Sequence, residues 1–332
     1  MAQKVVAITG AGAGIGRAAA RAFAARGCKV GLIARGTERL ESACREIDAA
    51  GGSGLVAPAD VSDAEAVDRA AELIERNLGP IDVWVNVAMA TVFAPFHLIA
   101  PGEYRRATEV TYLGFVHGTM AALKRMRPRG RGTIVQVGSA LGYRSVPLQS
   151  AYCGAKAAIR AFTDSIRSEL IHDGVGVHLT LVNMPALNTP QFDWARNKMR
   201  QRPQPVPPIF QPEVAARAIV LASERPRRRE MYVGRSTLQA IFGNTVAPGL
   251  LDRLLAKKGY SGQLTDEEEP PNRPDNLFQP VRGDHHGAHG RFDRRATYRS
   301  PELWLAEHRG IAAALGLALL VAGTVPLFAR RP

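Results

Sequence analysis

The first two dozen residues restrict the fold of this chain more than any other stretch. Lys4-Val-Val-Ala-Ile-Thr-Gly10 is a short apolar run rich in β-branched residues, Ala11-Gly-Ala-Gly-Ile-Gly16 is a glycine-dense turn, and Arg17-Ala-Ala-Ala-Arg-Ala-Phe23 is alanine-rich. A strand that turns through glycine into a helix is the opening unit of a doubly wound parallel α/β sheet, the Rossmann arrangement. Glycine permits the tight turn and lets backbone approach a pyrophosphate, whose charge is favoured at the helix N-terminus. The spacing is Thr9-Gly10-x-x-x-Gly14-x-Gly16, and Ile15 breaks the G-x-G-x-x-G register that Gly10 and Gly12 begin. A glycine turn can serve packing alone, but its place between strand and helix favours a dinucleotide. Because Lys4–Gly10 already reads as a core strand, no secretory signal is expected.

The second strand, Lys29-Val-Gly-Leu-Ile-Ala34, is followed by Arg35. A carboxylate there would bond the adenosine ribose and repel a 2′-phosphate. Arg35 instead offers a planar fork suited to phosphate, so NADP is favoured over NAD, although position 13 carries no second base.

Tyr152 and Lys156 stand four apart in Ser150-Ala-Tyr-Cys-Gly-Ala-Lys156, one helical turn that puts phenol and amine on the same face. A free phenol titrates near a pKa of about 10, and a nearby ammonium is expected to lower that value toward the working range. The pair alone also fits an amphipathic helix.

Together these residues resemble the short-chain dehydrogenase/reductase family, in its shorter single-domain branch with T-G-x-x-x-G-x-G and Y-x-x-x-K. The resemblance spans about residues 4–240 in five ordered motifs. It implies that Thr9, Gly10, Gly14, Ile15 and Gly16 form the cofactor turn and that Asp60 and Val61 contact adenine. Asn86 and Ala88 stand where the family has N-N-A-G, and Thr189 where a threonine contacts the nicotinamide amide. Ser139, Tyr152 and Lys156 correspond to the catalytic groups, with Tyr152 and Lys156 also touching cofactor. Thr111 falls where the family places a relay asparagine. Val87, Met89 and Met184-Pro185 depart from the family pattern. The implied chemistry is hydride transfer between NADP(H) and a carbonyl or secondary alcohol, with Tyr152 as acid–base group. Relatives often form homodimers or homotetramers. Epimerase or dehydratase chemistry, which shares Tyr-x-x-x-Lys, is disfavoured by the turn and by the irregular residues 190–300.

The 332 residues carry a formal charge of +13. Their arginines are scattered, apart from Arg225-Pro-Arg-Arg-Arg229, and no aromatic residues interleave with that cluster, which disfavours nucleic acid. Cys28, Cys44 and Cys153 lack metal spacing and imply no disulfide scaffold. Asp284-His-His-Gly-Ala-His289 has no second ligand cluster, so no metal is expected. Phe192 and Trp194 suit the lining of an apolar pocket. The reading divides the chain into a cofactor-binding domain (1–240), an amphipathic helical extension (241–262), an irregular linker or surface-hugging loop (263–303) and a terminal segment (304–332).

Gly310–Ala329 is twenty residues without a charge. A helix of that length spans about 30 Å, the thickness of a hydrocarbon core. The expectation is a single-pass C-terminal anchor with the catalytic domain in the cytoplasm, Trp304 at the interface and a lipophilic substrate. The rival reading is a catalytically degenerate nucleotide-binding membrane protein, with Thr111 and Met184-Pro185 as signs of decay.

Overall fold

The structure, a computed structural model, describes residues 4–283 and 287–308. Seven strands form one parallel sheet: β1 (Val5–Thr9), β2 (Lys29–Ala34), β3 (Ser53–Pro58), β4 (Ile81–Asn86), β5 (Gly132–Ser139), β6 (Val177–Met184) and β7 (Glu230–Tyr232). Their spatial order is β7-β6-β5-β4-β1-β2-β3. Helices cover both faces, so β1 is buried at all five positions, as a continuous apolar run in a parallel sheet should be. The order reverses between β1 and β4, and ligands of such sheets bind in the crevice at the strands' carboxyl ends there.

Helix α1 (Gly14–Ala24) lays Ala18, Ala19, Ala20 and Phe23 against the sheet. Helices α2 (Thr37–Ala49) and α3 (Ala64–Leu78) follow β2 and β3. Between β4 and β5, α4 (Pro101–Thr108) passes through a wide π-turn at Glu109–Leu113 into α5 (Gly114–Met126). Helix α6 (Ser150–His172) follows β5. Paired register sets Ser139 beside Met184 at the carboxyl edge of β5 and β6.

Beyond β6, α7 (Pro212–Glu224) packs on the α1 side of the sheet, with Arg21 reaching Glu213 at 3.2 Å. After β7 come α8 (Arg235–Val246) and α9 (Pro248–Lys258), broken at Ala247 and restarted by a proline in the first turn. Residues 263–283 and 287–303 hug the surface of the core. Leu264–Glu268 pairs antiparallel with Gln201–Pro203, Leu277 is completely buried, and Ala296-Thr297 pairs with Ile209-Phe210. Helix α10 (Pro301–Glu307) rests on α7, where Arg225 donates to the carbonyls of Ala306 (2.5 Å) and Glu307 (2.9 Å). Trp304, on α10, stacks on His308 with ring centroids 4.6 Å apart.

Among the described residues no helix is long and apolar enough to cross a membrane. The run Gly310–Ala329, on which the anchor expectation rests, lies outside the described residues, as do Asp284 and His285-His286.

Candidate active site

The glycine turn has the geometry its composition predicts. Gly10 and Gly14 take positive φ, +71° and +54°. A Cβ on Gly10 would stand 2.9 Å from the Ala88 backbone, and one on Gly16 only 2.2 Å from the Gly10 carbonyl oxygen. The turn is therefore pressed against both the β4 loop and itself. Ala13 gives α1 no side-chain cap, so its first amides suit an anion. Thr9 lies just beneath: its hydroxyl accepts from Val87 N (3.0 Å) and Ala88 N (3.3 Å), fastening β1 to the loop after β4.

A cleft of about 180 Å³ runs from this turn to the end of β2, lined by Gly10, Gly14, Ile15, Arg35, Arg39, Asp60, Val61, Ala88, Trp194, Asn276 and others. Arg35 is not the free strand-end cation expected from sequence. It donates to the carbonyls of Asn276 (2.5 Å) and Phe278 (2.9 Å), on the strap that residues 272–283 lay across the cleft. Arg39 stacks over Trp194 at 4.5 Å and donates to the Val281 carbonyl. Gly14 N donates to the Gly287 carbonyl at 3.2 Å. The Asp60 carboxylate is engaged by Arg106 (2.5 Å) and by Ser62 (2.8 Å). Burial would raise its pKa, but these bonds outweigh burial and hold it low.

A second cavity, about 420 Å³, opens at the carboxyl ends of β5 and β6. Ile15, Val87, Met89, Thr189 and Gln191 line both spaces, so the two join. Ser139, Tyr152 and Lys156 form one wall of the larger cavity, and Leu141, Val146, Phe192, Leu251 and Leu255 are among its apolar lining. Ser139 and Tyr152 line the same wall, and Ser139 Oγ accepts from Leu141 N at 3.1 Å. Lys156 is buried, donates from Nζ to the Val137 carbonyl at 2.7 Å, and lies 5.6 Å from the Tyr152 ring.

One electrostatic expectation is corrected. Burial pushes Tyr152 up to about 12, and the neighbouring Ser139 hydroxyl offsets only part of this. Burial also pulls Lys156 down to about 7. The lysine does not lower the tyrosine pKa here, because it is itself desolvated and loses much of its charge.

Two expected site residues serve structure instead. Asn86 faces away from the cleft: it accepts from Trp84 Nε1 (2.8 Å) and donates to Gln136 Oε1 (2.9 Å) beneath α5. Thr111, fully buried in the π-turn, donates to the Ala90 carbonyl (2.7 Å) and accepts from Ala90 N (2.9 Å). It anchors the loop after β4 and stands in neither cavity lining. Gly16 acts through close packing. Of the two aromatics, Phe192 lines the larger cavity and Trp194 the cofactor cleft. His289, from the histidine-rich segment, is held between Glu213 (2.9 Å) and Asp293 (2.8 Å). Arg39 and Asn276 in the cleft, and Gln149 in the larger cavity, carry no sequence signal of their own except Arg39, a second cation four residues after Arg35.

The family model described as short chain dehydrogenase matches residues 4–199. This chain belongs to the short-chain dehydrogenase family. Within it, an uncharacterised oxidoreductase of Bacillus subtilis, YxnA, is 33% identical over 322 residues, 96% of this chain and 89% of that relative. A fatty acyl-CoA reductase of Acinetobacter baylyi is 31% identical over 240 residues, 70% of this chain and 77% of that relative. Among solved structures, a metagenomic short-chain oxidoreductase in complex with NADP aligns with a TM-score of 0.57 at 26% identity. It covers 69% of this chain and 96% of that one.

The substitutions that set this short-chain dehydrogenase apart have visible places. Val87 and Met89 line the junction of the two cavities, and Met184-Pro185 lines the larger one. Each adds apolar surface to the cavity whose wall also carries Ser139, Tyr152 and Lys156. The residues that suit a nicotinamide dinucleotide are the glycine turn at the start of α1, the two joined spaces and, at the far end, Arg35 and Arg39, although Gly14 N and both arginines here donate to carbonyls of residues 276–287.

Proposed function

We propose that this oxidoreductase reduces the carbonyl of a lipophilic substrate with NADPH, at a membrane. The observation that carries this reading is the placement of Tyr152, Ser139 and Lys156 together on the wall of an apolar cavity that joins the glycine-turn cleft. A phenol held near a pKa of about 12 keeps its proton at neutral pH. It is therefore poised as the acid that protonates a forming alkoxide, with Ser139 donating to the same oxygen. Such assistance is typically worth about 10²–10⁴ in rate. Lys156 supplies a buried amine behind the phenol, positioned to bond the cofactor ribose. When bound, the nicotinamide supplies the hydride.

The finer parts rest on separate supports. NADP over NAD is favoured by Arg35 and Arg39 at the cleft's end, and the aligned structure was solved with NADP. A lipophilic substrate is favoured by the cavity lining, and one relative bears the name fatty acyl-CoA reductase. Membrane attachment is favoured by the uncharged run Gly310–Ala329, with the catalytic domain cytoplasmic. A homodimer or homotetramer is proposed from the family resemblance.

The test is NADPH oxidation by purified protein across aldehydes and ketones of increasing chain length. Turnover should appear with the longer members. Tyr152→Phe should lower kcat by at least about 10² while NADPH affinity stays within a factor of about two. Turnover unaffected by that substitution would refute the mechanism.

A further inference from the structure

The helical hairpin α8–α9 forms one side of the larger cavity through Ser236, Gln239, Ala240, Leu251, Leu254 and Leu255. Its two helices meet closely, with room at Gly243 for Leu251 and little more: a Cβ there would stand 3.3 Å from the leucine. The outer surface of the hairpin is also apolar. Leu238, Phe242 and Val246 recur at four-residue spacing along α8 and are 42%, 72% and 64% exposed. On α9, Leu250 and Leu254 are 67% and 45% exposed. Leu254 belongs to both surfaces, so the cavity wall and the outer apolar face are continuous.

Charge identifies what covers this face. Arg235, Arg253, Lys257 and Lys258 are exposed around it, and none pairs with a described acid. Residues 235–258 contain one acid, Asp252, which is taken by Arg144 at 2.6 Å. An apolar stripe rimmed by unpaired cations suits the boundary of an anionic bilayer, where the apolar residues enter the acyl region and the cations meet phosphate. The uncharged run 310–329 would fill the stripe but leave four cations unanswered, and a second copy would set those cations against each other.

We infer that the α8–α9 hairpin docks on an anionic membrane surface and admits a bilayer-dissolved carbonyl substrate past Leu254 into the Tyr152 cavity. The admission half rests on the function proposed above; the docking half does not.

The experiment is hydrogen–deuterium exchange on the full chain, alone and with vesicles of phosphatidylcholine with or without phosphatidylglycerol. Amides of residues 238–258 should exchange about tenfold more slowly on the anionic vesicles. Phe242→Asp with Leu250→Asp, both outside the cavity lining, should abolish that protection and leave the melting temperature unchanged. The same double variant should raise KM for hexadecanal carried in vesicles at least several-fold, with kinetics on octanal dissolved in vesicle-free buffer unchanged. Exchange in 238–258 indifferent to vesicles, while the protein still sediments with them, would overturn the docking surface. So would protection that appears without vesicles, whether it depends on protein concentration (a second copy) or on residues 310–329. Equal protection on neutral and anionic vesicles would overturn the assignment of the cations. Because exchange needs no turnover, an inactive protein that docks would defeat the catalytic reading alone.

Discussion

Residues 5–184 and the described residues of 191–308 build two sides of one site by different means. The first half places its groups through repetition: strand ends, a glycine turn, and one helix that carries Tyr152 and Lys156 one turn apart. The second half places its groups through isolated contacts, such as Leu277 in the core and the carbonyls of Asn276, Phe278 and Val281 on two arginines. Periodic structure distributes stability over many residues, whereas the wrap concentrates it at a few. The proposed catalytic groups sit on the distributed half, and much of the proposed substrate-facing surface sits on the concentrated one.

That contrast can be broken at single residues. Leu277→Ala should cost about 2–5 kcal/mol, as full truncation of a buried leucine does, read from the midpoint of denaturant unfolding. A cost under about 0.5 kcal/mol would mean that the wrap is not part of the cooperative fold. In the first half, Gly16→Ala forces a methyl to within 2.2 Å of the Gly10 carbonyl oxygen, backbone that cannot swing aside. Overpacking of this kind should cost about 1–3 kcal/mol, with NADPH affinity lost by isothermal titration; retained affinity would show that the turn has slack.

The buried lysine predicts a pH effect whose sign is fixed. Lys156 keeps its proton only to about pH 7 in the folded protein, against about 10.4 in the unfolded chain. Between those values the unfolded chain binds more protons, so this residue makes stability rise with pH, by at most about 1.4 kcal/mol per pH unit. Lys156→Met should flatten that rise in thermal melts between pH 7 and 10; an unchanged slope would place the charge elsewhere. The smallest effect belongs to the cavity. Each methylene added to an aldehyde should raise kcat/KM about fourfold, at about 0.8 kcal/mol apiece, until the space is filled. A flat series would remove the lipophilic substrate.

What could be read from the sequence followed the same division. The strand–turn–helix start, the parallel sheet and the shared face of Tyr152 and Lys156 were legible because period and spacing encode them. Arg35 was legible as a cation at a strand end, but not as the partner of carbonyls some 240 residues away, because every residue carries the same carbonyl. Asn86 and Thr111 were legible as positions and not as directions: one amide turns under α5, and one hydroxyl closes on Ala90. The tyrosine pKa went the other way because spacing announces a neighbouring amine but says nothing of how deeply both groups are buried.

The central claim is that Tyr152 protonates an oxygen whose carbon receives hydride. The direct measurement follows deuterium from the reactive C4 position of labelled NADPH into a long-chain aldehyde, with product analysed by mass spectrometry. Wild-type protein should give alcohol carrying one deuterium on the carbinol carbon, and Tyr152→Phe should give almost none despite binding NADPH. Unlabelled alcohol, or equal labelling from the variant, would contradict the account.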